Sequence, residues 1–133
     1  MRIYEKFATD AQAEIEGVWV DLGGGASVKV ARFGNPKHTE LVKQLQKPYA
    51  QSIKAGVDIA DDLKTAMAVE SMAQAILLDW KGIEDEDGKL IPHSIENAKK
   101  LLGDLKDFRD TIAFLATQQE TFRKAALEQA AKN

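Results

Sequence analysis

The chain has 133 residues, 44% hydrophobic and 29% charged, a balance that excludes collagenous, disordered and membrane-spanning classes. Lys plus Arg number 18 against 21 Asp plus Glu, and the net charge of -3 supplies no general attraction for DNA or RNA. With no cysteine there is no disulfide framework, thiolate metal site or thiol nucleophile, as expected of a reducing compartment. The start, Met1 to Glu5, lacks an apolar signal core, and no uncharged stretch approaches the ~20 residues that cross a bilayer, so a soluble cytoplasmic protein without membrane partners is expected.

No internal repeat or linker divides the chain, and residues 1–133 read as one domain. Residues 1–16 are a flexible arm or a short helix; the composition leaves both open. From Gly17 the period becomes two: Val18, Val20 and Leu22 alternate with Trp19 and Asp21, three glycines interrupt, and Ser27 to Phe33 resumes the alternation. Residues 17–34 are therefore expected to form a β-hairpin. A phosphate-binding loop is disfavoured, because a strand follows the glycines and no Gly-Lys-Ser/Thr triplet is present.

Residues 35–133 read as helical. Asn35-Pro36 is a cap followed by a first-turn proline, and Leu41, Val42, Leu45 and Tyr49 share one side of the helix that follows. Pro48 and Gly56 are expected break points. The spacing of Ile59, Leu63, Ala66, Val69, Ala73, Ile76, Leu77 and Trp80 predicts one long helix from about Asp58 to Trp80. Residues 82–92 are a loop, Ser94 caps a helix ending at Gly103-Asp104, and a stripe of Phe108, Ile112, Leu115, Gln119, Phe122 and Ala126 runs from about Lys106 to Ala130. Polar Gln119 marks a local break or an exposed section of that stripe. The expected fold is mainly α (α+β), an N-terminal β-hairpin followed by four to five helices.

No catalytic constellation emerges. Glu84 to Asp87 form one acidic run whose adjacent side chains do not converge on a substrate, and the run lacks the ligand spacing of a calcium loop, so a solvated turn is the reading. His38 and His93 have no partner at metal-ligand spacing, and no nucleophile elbow surrounds any serine. Trp19 and Trp80 are assigned to core or interface packing, and Met67 and Met72 to core filling or an adaptable surface. No catalytic, cofactor-binding or metal site is expected, and a binding or assembly role is favoured over an enzyme.

The segment from Leu77 to Ala98, Leu-Leu-Asp-Trp-Lys-Gly-Ile-Glu-Asp-Glu-Asp-Gly-Lys-Leu-Ile-Pro-His-Ser-Ile-Glu-Asn-Ala, resembles the tail assembly chaperones of bacteriophages with long non-contractile tails. In that family a helix ending in Asp-Trp-x-Gly precedes an acidic glycine turn, an extended piece and a Ser-x-Glu-Asn-Ala helix start. The matching residues here are Asp79, Trp80, Gly82, Gly88, Ser94 and Asn97, and Phe108 and Phe122 lie in similar stretches downstream. Val30 to Pro36 is similar too, and the resemblance runs from Gly17 to Asn133.

The resemblance implies a chaperone that binds the phage tape measure protein, keeps it soluble and engages the major tail tube protein, self-associates, works in the host cytoplasm and is absent from the mature virion. The alternative is a structural virion protein, either a tail component or a head–tail connector. The family also makes a longer product by a reading-frame shift, with which the Ala131-Lys132-Asn133 ending is compatible.

Overall fold

The computed structural model describes residues 1–123 and residue 128. Two short helices open the chain, α1 (Ile3–Phe7) and α2 (Ala11–Glu16), so the stretch left open in the sequence is helical. Asp10 caps α2 by accepting from the Gln12 and Ala13 amides. Arg32 reaches back to Glu14 at 3.2 Å and ties the arm to the sheet.

The expected hairpin forms from β1 (Val18–Gly23) and β2 (Ala26–Val30). Gly23, Gly24 and Gly25 all have positive φ, which the tight turn demands and a side chain would resist. Val18 pairs with Val30 and Val20 with Val28, so the buried valines share one face while Trp19 takes the other. The alternation predicted as far as Phe33 stops at Val30, because the next backbone groups turn elsewhere: Ala31 N–H donates to Ile76 O at 2.8 Å and Phe33 N–H to Ala116 O at 3.0 Å.

Asn35 accepts from the Lys37 and His38 amides and starts α3 (Pro36–Gln46) as expected. At Pro48 the chain tightens to a single 3-10 turn before α4 (Ala50–Lys54), and Gly56, with φ +74, closes the segment. Next comes α5 (Asp61–Ala75).

The long helix predicted to reach Trp80 ends at Ala75, and Leu77–Lys81 is a third strand, β3, antiparallel to β2. Ile76, Leu77 and Trp80 suit a helical face and a strand equally well in periodicity, and the open edge of β2 decides between them. Leu77 and Trp80 are three residues apart and would face opposite sides of a regular strand. The register shift that pairs Lys29 with Asp79 but Val30 with Leu77 leaves Leu78 as the extra residue of a bulge, so both side chains enter the core. The sheet thus has order β1-β2-β3, one strand more than the predicted hairpin, in a mixed α and β architecture.

Two helices follow, α6 (Ile95–Asp104) and α7 (Lys106–Thr117), with Leu105 as the single hinge residue. Arg109 donates to Leu102 O at 2.7 Å, satisfying a last-turn carbonyl of α6. The break expected at Gln119 falls at Gln118, after which 119–123 are helical again. The remainder of the predicted stripe, Ala126 and Ala130, and the Ala131-Lys132-Asn133 ending lie outside the described residues.

One face of the sheet packs on α5, α6 and α7. Val28, Val30, Ile76, Leu77, Trp80, Leu102 and Ile112 form the centre of this core. Lys99 and Glu70 pair at 2.8 Å across α5 and α6. In α5 only the second half, from Val69 onward, is buried. Its first half is less buried, and the helix packs against α3.

Gly82 ends β3 with φ +71, and a Cβ placed there would run into the carbonyl of Gly25 at the hairpin tip. At Gly88, φ is +77 but the space is open apart from the end of the Glu84 side chain. Gly82→Ala is therefore expected to cost more than about 2 kcal/mol, since left-handed strain and a backbone clash add, whereas Gly88→Ala should cost about 1–2 kcal/mol. Urea denaturation of the two variants, side by side, checks the order.

Candidate functional site

Six of the residues singled out in the sequence build one structural unit. The Trp80 indole N–H donates to Ile91 O at 2.7 Å, and its ring meets His93 edge-on with centroids 4.8 Å apart. His93 Nε2 lies 3.3 Å from Leu77 O, and Asn97 Nδ2 donates to Pro92 O at 2.8 Å. Ser94 accepts from the Asn97 amide and caps α6. Asp79 accepts from the Trp80 amide on the same strand. Together these bonds fold residues 82–94 back over the end of β3 and set where α6 begins.

The acidic run lies in this turn. Asp85 Oδ1 accepts from the amides of Asp87 and Lys89, both at 2.9 Å, and Gly88 N–H donates to Asp85 O. Two backbone amides thus hold Asp85 Oδ1 inside the turn. Among the described residues no group of three or more His, Asp or Glu side chains is placed to hold a metal ion.

Phe108 and Phe122 lie apart from that unit and from each other in role. Phe108 is half-buried against the main core. Phe122 is fully buried, with the Arg32 guanidinium 5.7 Å from its ring centroid, so it anchors residues 119–123 beside the end of β2. All eight residues carried by the resemblance therefore have packing or turn-forming roles, and none of them lines the apolar groove between the helices that follow the hairpin.

This groove has a volume of about 450 Å³ and lies between α3, α4 and the first half of α5. Its walls carry Val42 and Leu45 from α3, Ile53 from α4, and Met67 and Met72 from α5, with Phe33 at one end. The sequence contained the signal in two pieces: the apolar side of the Asn35 helix and the methionine pair of the next one. What it did not reveal is that the helices leave a gap. Ile53 is 44% exposed, a large apolar side chain held at the groove wall with no cover among the described residues.

Two of the polar side chains in the groove are engaged within the chain, whereas Gln46 and Lys64 also line it without a side-chain partner among the described residues. Ser71 Oγ donates to Ala68 O within its own helix. His38 stacks on Phe33 with centroids 5.0 Å apart, and its Nδ1 accepts from Gly34 N–H at 3.1 Å. Partial burial holds the His38 pKa below its ordinary value, because the charged imidazolium loses hydration there. A neutral ring also suits the Gly34 bond, which needs Nδ1 as an acceptor.

Trp19 sits on the opposite, open face of the sheet at 42% exposure, with Lys81 Nζ 4.2 Å from its ring centroid. The sequence assigned both tryptophans to packing; Trp80 is core, whereas Trp19 is a surface ring covered on one side by a cation.

Residues 33–133 match the family described as YdaY prophage protein, well over half of the chain. The chain belongs to that family and is a phage-derived protein. The match begins at Phe33, so it takes in α3 to α7 and β3 and leaves the hairpin outside. Neither a curated protein nor a solved structure matches it.

Two outcomes follow from this geometry. Trp80→Ala should cost about 3–5 kcal/mol through loss of packing. Trp80→Phe, which keeps a ring but strips Ile91 O of its donor, should cost about 1–3 kcal/mol; equilibrium unfolding followed by far-UV circular dichroism measures both. For His38 the folded pKa lies below the unfolded one, so its stabilising contribution is complete above the unfolded value near 6.5 and is lost as pH falls through it toward the folded value. Between about pH 7.5 and 5, a window above the normal carboxylate range, the wild type should lose more thermal stability than His38→Gln.

Proposed function

We propose that this protein is a tail assembly chaperone, a non-enzymatic binder that takes up apolar helical segments of the phage tape measure protein and keeps them soluble until the tail tube assembles. It acts in the host cytoplasm as several copies on one client, self-associates, meets the tail tube protein at hand-over, and is left out of the finished particle. The observation that carries this reading is the groove between α3, α4 and α5. It is open, mostly apolar and lined in part by methionine, with the Ser71 hydroxyl and His38 Nδ1 bonded within the chain. A surface of this kind takes varied apolar side chains, because the unbranched thioether chain of methionine repacks at low cost.

Membership of a prophage protein family supports a phage context. The succession Asp79-Trp80, Gly82, Gly88, Ser94 and Asn97, which resembles tail assembly chaperones, supports the assembly role. Its contribution is architectural: by fixing the turn over β3 it sets α6 against α5, and α5 in turn forms one groove wall. A chaperone needs no bond-making chemistry. Each copy needs only modest affinity, since many sites on one long client add avidity, and weak individual contacts let tube subunits displace them.

The test is co-expression with the tape measure protein of the same genome, followed by pull-down and light scattering. The expected result is a soluble complex with several copies of this chain per client. Precipitation of the client while this chain remains alone overturns the reading, and recovery of this chain from purified particles would favour a structural tail or connector protein instead.

A further inference from the structure

We infer that the groove between α3, α4 and α5 receives an acidic amphipathic α-helix, whose apolar stripe seats on Val42, Ile53 and Met67 while its flanking carboxylates pair with a lysine rim. This rests on the chaperone reading for the identity of the client but not for the chemistry of the groove. The rim is the first observation. Between Pro36 and Lys54 the chain carries Lys37, Lys43, Lys47 and Lys54 against the single carboxylate Glu40, within a protein whose net charge is -3. Positive charge is thus concentrated on this segment, and Asp58, Asp61 and Asp62 follow it at the start of α5.

Lys64 lines the groove itself, Lys43 borders both of the shallower concavities that continue it, and Lys47 and Lys54 border one of them. No Asp or Glu lines any of the three. Elsewhere the lysines of α6 and α7 are paired: Lys99 with Glu70, Lys100 with Asp104 and Lys106 with Asp110. Lys43, Lys47, Lys54 and Lys64 make no ion pair among the described residues. A rim of unneutralised cations around an apolar floor favours a partner with the reverse arrangement and penalises one with basic flanks.

Helical form follows from the walls. Apart from Phe33 and Ile59 they are helices whose backbone groups are bonded internally, and no strand lines the groove to pair with an extended peptide. A helix brings its own backbone bonds and offers side chains at i, i+3, i+4 and i+7 to a groove of this shape.

The probes are two synthetic helical peptides of about 20 residues, long enough to hold a helix. Both carry Leu at i, i+3, i+4 and i+7; one has Glu flanking the stripe, the other Lys. Fluorescence anisotropy against the full chain should show the Glu peptide binding at least about tenfold more tightly, with affinity falling as salt rises from about 50 to 500 mM. The variant K43E/K47E/K54E should reverse the preference, and Ile53→Asp should abolish binding of both peptides while circular dichroism remains that of the wild type. Equal binding of the two peptides, or no binding of either, overturns the inference. In the tape measure pull-down, capture undiminished by K43E/K47E/K54E sinks the groove assignment and leaves the chaperone reading standing. Selective peptide binding without tape measure capture sinks the chaperone reading and leaves the groove.

Discussion

The antiparallel pairing of Leu77–Lys81 with the free edge of Ala26–Val30 is the constraint on which the other contacts depend. It turns a two-stranded ribbon, which is marginal alone, into a sheet with one apolar face. The bulge at Leu78 then lets Leu77 and Trp80 both point inward, and Trp80 brings its indole N–H within reach of Ile91. From that bond the rest follows in order. The turn through Gly88 is held down, Asn97 and His93 fasten its return, and Ser94 starts α6 where it can cross α5.

The same constraint creates the groove. Because α5 stops at Ala75 to release the chain into β3, only its second half lies over the sheet. The first half extends beyond the core, where Met67 and Lys64 face α3 and α4 rather than the valines of β2. A helix continuing to Trp80, as the periodicity suggested, would have had its apolar arc covered along a greater length. Breaking the helix gives up some regular hydrogen bonding, and the exchange leaves an apolar wall open to a partner.

Charge is distributed with equal consequence. Carboxylates lie in the arm, at Asp58, Asp61 and Asp62 around the start of α5, in the turn at Glu84 to Asp87 and along α6 and α7, several of them bonded to backbone amides or lysines. Cations without such partners gather on α3 and α4. A slightly acidic protein therefore presents lysines around the apolar groove between α3, α4 and α5, a feature invisible in the net charge. The residues shared in pattern with tail assembly chaperones act at one remove from this surface, by fixing the frame that carries it.

Local signals were readable without the fold. Asn35-Pro36 and Ser94 cap helices because their side chains satisfy amides two and three residues away, and three glycines make a hairpin tip because they alone accept positive φ in succession. The break near Gln119 and the acidic turn belong to the same class, since each depends only on neighbours along the chain. The structure alone decided whether Ile76 to Trp80 would be helix or strand, because an apolar run of that length satisfies both periods and the choice rests on a hydrogen-bonding edge some fifty residues away. It also decided that the methionine pair would line a gap and that separate lysines would share a rim. Burial and electrostatic proximity are properties of distances between helices, and those distances are set by packing rather than by spacing along the chain.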